Sequence, residues 1–207
     1  MPLTDEQRSA VAKIRAIIEN TTFLTGTAGS VEQRARYPDP AHIPTDVTVR
    51  VEIAPPSTQP HPLFDSSVLK TPERVPVYFY ALHNEQAEID AVDTHVIFFI
   101  HGGGNITGHP THEPFTRLYI QLLRAASAHS GVARKCVLIA PSYRLATVPE
   151  NTFPAALQDL VAAYDYVLGK GYNPSNIVIA GDSAGGKHGQ SLRFLVGTLT
   201  NIEQRLC

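Results

Sequence analysis

A chain that contains Ile177-Val178-Ile179-Ala180-Gly181-Asp182-Ser183-Ala184-Gly185-Gly186 has little freedom in how it folds at that point. Four apolar residues run into a Gly-x-Ser-x-Gly turn, the pattern of a buried strand that breaks sharply into a helix. A serine at the apex of such a turn occupies a strained backbone conformation. The glycines two positions either side are needed because a Cβ there would collide with the neighbouring elements. Ser183 would then stand exposed above the sheet edge, with the positive end of the following helix beneath it. It is a candidate nucleophile, and its strand demands a sheet to belong to.

The rest of the chain supplies one. Val47, Val49, Val51 and Ile53 alternate with Thr48, Arg50 and Glu52, the period of a strand with one buried face, and a second strand is predicted over about residues 75–82. Residues 96–100 are continuously apolar, as expected of a strand covered on both faces by helices, and 135–141 (apolar after Lys135) and 177–180 repeat that character. Between them, Phe115, Leu118, Tyr119, Leu122 and Leu123 recur at helical spacing. So do Leu157, Leu160, Val161, Tyr164, Val167 and Leu168, with Gly169 and Gly171 as the stop. Strands alternating with helices predict an α/β fold with a mostly parallel sheet. Upstream, Thr4 with Gln7 resembles a capping box, and Ala10, Val11, Ile14, Ile17 and Ile18 predict an amphipathic helix over about residues 5–19. Residues 21–45 read as irregular or loosely helical, and the proline-rich stretch 55–73 as a long surface connection.

His101-Gly102-Gly103-Gly104 directly follows the strand ending at Ile100. Consecutive glycines expose backbone N–H groups at the carboxyl end of a parallel strand, where α/β proteins place ligands. Such donors can hold the negative oxygen that develops when a nucleophile attacks an ester carbonyl. A flexible glycine turn is the plainer alternative. Downstream, His109 and His112 lack a further ligand at a recognisable metal-site spacing, so they read as a solvated loop and no metal is expected. With 207 residues, 43% apolar content and a net charge of −2, the chain has the makings of one sizeable core and no basic footprint for nucleic acid. No apolar run matches a membrane span or signal core, so the expected location is cytoplasmic. Cys136 and Cys207 predict no disulfide framework, with Cys136 a buried free thiol.

Together with Ser142-Tyr143-Arg144-Leu145-Ala146 and Phe153-Pro154-Ala155-Ala156-Leu157-Gln158-Asp159, the two glycine motifs resemble the hormone-sensitive-lipase-like branch of the α/β-hydrolase fold. The four blocks stand in that family's order, and the similarity covers roughly residues 75–186. The resemblance implies a serine carboxylic-ester hydrolase working through an acyl-enzyme on short or medium acyl or aryl esters, with no cofactor and a small ester as partner. Ser183 corresponds to the nucleophile, and the N–H groups of Gly103, Gly104 and Ala184 to the oxyanion hole. His101 corresponds to a histidine that positions the loop; Gly102, Gly181, Asp182 and Gly185 support the two motifs, and Asp182 is not the triad acid. Tyr143, Arg144 and Asp159 match structural positions. Residues 1–45 are then a cap-like helical segment, and 46–207 the N-terminal part of the hydrolase domain. The sequence carries no signal for an oligomeric state.

The departures concern the base. A serine needs a histidine oriented by a carboxylate, and in this fold both follow the serine. Residues 184–207 hold one histidine, His188, and one carboxylate side chain, Glu203. Five residues along a helix from Ser183 means a rise of about 7.5 Å and a rotation of roughly 140°, which argues against His188 as base. From Lys187 onward the sequence turns polar, and Gly189 should weaken a helix. The expectation is an incomplete, C-terminally truncated or misjoined hydrolase with a divergent tail from about residue 187 and weak or no activity. Its strand 177–180 would be left as an exposed edge, with poor solubility. A non-catalytic small-molecule-binding protein on the same fold, or a fragment without an independent role, is the alternative.

Overall fold

The structure is a computed structural model that describes residues 29–57, 68–82, 91–129 and 135–206. The helix expected over 5–19 lies outside them, as do residues 58–67 of the proline-rich connection. Five strands, β1 (Val47–Ala54), β2 (Val75–Leu82), β3 (His95–Ile100), β4 (Cys136–Pro141) and β5 (Ile177–Gly181), form one sheet in the order β1-β2-β4-β3-β5. Among the described residues four α-helices accompany it: α1 (Val31–Arg34), α2 (Glu113–His129), α3 (Ala155–Gly169) and α4 (Ala184–Leu206). The sheet has two halves. β1 pairs with β2 and β2 with β4 antiparallel, whereas β4, β3 and β5 run parallel.

Alternation of side chains across the pleat explains the two apolar layers. Along β2, which is buried throughout, Val75, Val77, Phe79 and Ala81 face one layer while Tyr78, Tyr80 and Leu82 face the other. The first layer is completed by Leu157, Leu160 and Tyr164 of α3 and by Leu192 and Leu195 of α4. The second is completed by Tyr119, Ile120 and Leu123 of α2. Helices thus cover both faces, as the continuous apolar runs required. Cys136 is buried in the second layer. At the end of the described sheet β5 has β3 as its one partner, and Val178 is 64% exposed. No described helix is long and apolar enough to cross a membrane.

The polar start of α4 does not break the helix. A Cβ built on Gly189 would stand 3.3 Å from Ile179 Cγ2, so the absence of a side chain lets α4 lie close on β5. Packing offsets the propensity cost expected there.

Candidate active site

The register of β3 and β5 sets Ile100 beside Gly181, so the parallel strands deliver their two glycine loops side by side. Ser183 is exposed at the apex of its turn with φ 49°, in the left-handed region that a residue with a Cβ adopts only under constraint. The constraint is visible in the glycines. A Cβ on Gly185 would sit 2.0 Å from the Ile100 carbonyl oxygen, and one on Gly181 would sit 2.6 Å from the Gly185 carbonyl carbon. Gly102 approaches Asp182 as closely: its N–H donates to Asp182 Oδ1 at 2.6 Å, and a Cβ there would meet Asp182 Oδ2 at 2.3 Å. Asp182 therefore ties the two loops together.

Beyond Gly102 the backbone takes three consecutive positive φ values, 114° at Gly103, 60° at Gly104 and 66° at Asn105. The turn closes when the Gly103 carbonyl accepts from the N–H groups of Ile106 at 3.1 Å and Thr107 at 3.0 Å. From below, the buried His101 donates from Nδ1 to the Gly102 carbonyl at 2.8 Å, and its ring stacks on Tyr143 with centroids 4.3 Å apart. Tyr143 Oη donates to the His101 carbonyl at 2.7 Å. Burial pushes the His101 imidazole down to about 4, so it is neutral at pH 7. Ala184 is the first residue of α4, and its N–H belongs to the helix end that lacks preceding carbonyls.

His188 is turned toward the glycine loop. Its Nε2 lies 2.6 Å from Asn105 Oδ1, and its ring meets the Tyr143 ring edge-on at 5.4 Å.

Two sequence expectations need amendment. His109 is not part of a solvated loop: it is 6% exposed, donates from Nε2 to the Arg34 carbonyl at 2.9 Å, and packs edge-on against Tyr78. Burial holds its imidazole down at about 3. His112 is half-buried and accepts from Arg36 Nη2 at 2.7 Å. Both histidines are occupied by the segment around α1, within the stretch 21–45 that the sequence reads as irregular or loosely helical. No group of three or more potential metal ligands occurs among the described residues.

The structural positions form a buried ionic cluster. Asp159 accepts from the Arg144 backbone N–H at 2.8 Å and pairs with its guanidinium at 2.9 Å. Arg34, which no sequence signal marked, lies 3.5 Å from Asp159 and donates to the Ser142 carbonyl at 2.6 Å. Asn105 was also overlooked. Its position directly after three glycines was the available signal, since asparagine is enriched among non-glycine residues at positive φ.

Residues 97–194 match the alpha/beta hydrolase fold family, a match that continues past Lys187, where the change in sequence character suggested a join. An acetyl-hydrolase from Streptomyces hygroscopicus is 37% identical over 93 residues, which are 45% of this chain and 27% of that protein. Carboxylesterase NlhH from Mycobacterium tuberculosis is 38% identical over 96 residues, 44% of this chain and 26% of that enzyme. A solved esterase from the bacterial hormone-sensitive lipase family superposes with a TM-score of 0.52 at 22% identity, covering 96% of this chain and 54% of that one. That likeness establishes the fold. The chain spans about half the length of the solved relative, and the matched stretches about a quarter of the two enzymes.

Proposed function

Since residues 97–194 belong to the α/β-hydrolase fold family, we propose that Ser183 is the nucleophile of a carboxylic-ester hydrolase scaffold acting on small esters. Ser183 Oγ attacks the ester carbonyl carbon, and the carbonyl electron pair moves onto the oxygen. The N–H groups of Gly103, Gly104 and Ala184 receive that oxyanion. Collapse expels the alcohol and leaves the acyl group on Oγ, and water then releases the acid. The serine proton must leave as the bond forms. With His188 Nε2 directed at Asn105 Oδ1, on this reading the proton passes to a base from solvent.

The observation that carries this reading is the strained φ of Ser183 beside a loop held open by glycines, a conformation with a backbone cost, in a residue exposed to solvent. A fluorophosphonate probe tests it. Attack by Oγ on phosphorus displaces fluoride and adds one phosphonyl group per chain, read by intact mass. Labelling and slow hydrolysis of p-nitrophenyl acetate should both disappear in Ser183→Ala. An unlabelled wild type that binds small esters saturably without hydrolysing them would support the non-catalytic reading instead. Equal labelling of Ser183→Ala would remove Ser183 from the mechanism.

A further inference from the structure

We propose that His188 is a positioning residue that fixes the glycine loop through Asn105, holding Gly103 and Gly104 where their N–H groups face the reacting carbonyl. This rests on the reading of Ser183 and its loop given above. The loop needs an external hold. Gly103 and Gly104 have access to both signs of φ, so nothing intrinsic keeps their N–H groups pointing one way. Asn105, the first residue after them with a side chain, also sits at positive φ, and it is gripped at two points by two different elements. Its carbonyl accepts from the Ala146 N–H at 2.7 Å, in the loop after β4. Its Oδ1 accepts from His188 Nε2 at 2.6 Å, in the first turns of α4. An amide oxygen only accepts, which places the imidazole proton on Nε2.

The second grip sets the geometry between nucleophile and loop. α4 begins immediately after Ser183 and is pressed against Ile100 at Gly185, so its first turns move with the nucleophile turn as one body. A hydrogen bond from the same helix to Asn105 therefore references the glycine donors to Ser183 itself. The Tyr143 ring backs the imidazole edge-on, and Tyr143 also bonds the His101 carbonyl at the start of the loop. Asp182 anchors Gly102, and His188 anchors Asn105. The two donors lie between these anchors.

Four variants of the full chain test the inference: His188→Ala, His188→Asn, His188→Gln and Asn105→Ala. Glutamine carries an N–H where the imidazole Nε2 stands, whereas asparagine is too short to reach. Amide hydrogen exchange over residues 102–108 should rise by about tenfold in His188→Ala and His188→Asn, with β3 unchanged, and stay within about threefold of wild type in His188→Gln. Adding His188→Ala to Asn105→Ala should change nothing further. The rate of fluorophosphonate labelling should follow the same order. Unchanged loop exchange in folded His188→Ala would overturn the inference. So would a His188→Gln chain whose loop is protected but whose labelling is lost, since that result makes the imidazole a proton carrier. A wild type that fails to label defeats the reading of Ser183, and the exchange measurement still decides the role of His188.

Discussion

At the scale of single residues, the turn around Ser183 shows how contact distance separates required glycines from incidental ones. The nearest atom to a Cβ on Gly185 would be backbone, the Ile100 carbonyl oxygen at 2.0 Å, and β3 cannot retreat without breaking its pairing with β5. On Gly186 the nearest atom would be the Gly181 oxygen at 3.4 Å, an ordinary contact. Gly185→Ala should therefore cost at least about 3 kcal/mol, while Gly186→Ala should stay within about 1 kcal/mol of the parent because alanine favours the helix. Urea denaturation midpoints of the two variants would check this; equal midpoints would mean the strand yields more readily than the contacts allow. The Gly-x-Ser-x-Gly pattern announced this constraint because the clash is local to the turn. The burial of His109 was illegible for the opposite reason: its hydrogen-bond partner Arg34 stands 75 residues earlier, and Gly-His-Pro-Thr-His reads as polar loop until that segment folds over it.

At the scale of elements, apolar runs identified the five strands to within a residue or two but not their neighbours. A run such as Val137-Leu138-Ile139-Ala140 says that both faces are covered, which is equally true beside any partner, so the antiparallel placement of β4 against β2 came only with the sheet. The join between elements is the cluster of Asp159, Arg144 and Arg34, which links α3, the loop after β4 and the end of α1. All three side chains are withdrawn from solvent, so Asp159 is the buried counter-charge for two buried guanidinium groups. Removing it leaves them only the part-exposed Glu73, 3.2 Å from Arg34 and 3.5 Å from Arg144. Asp159→Ala should lose about 3–5 kcal/mol, far more than the loss of a solvent-screened pair such as Arg74 with Glu32. Guanidinium melts of Asp159→Ala and Glu32→Ala make the comparison, and similar losses in the two would show that the cluster is solvated in practice.

At the scale of the whole molecule, the buried histidines make stability depend on pH. His101 and His109 are held neutral in the folded chain, down to about 4 and about 3, because burial penalises the imidazolium. In the unfolded chain each titrates near 6.5, so below that pH the unfolded state binds more protons and stability falls as pH falls. Each histidine contributes its stability fully above about 6.5, and loses it at about 1.4 kcal/mol per pH unit until its folded value is reached. His112 and His188, also lowered by burial, act in the same direction. Replacing one histidine should therefore change the slope, whatever it does to the absolute stability. Urea midpoints measured between pH 7 and pH 4.5 should decline steeply for the parent. For His109→Gln the decline should be shallower by about 1.4 kcal/mol per pH unit, one proton's worth. His109→Gln with the parental slope would mean that His109 takes up its proton while folded, which its burial against Tyr78 and the neighbouring Arg36 charge argue against.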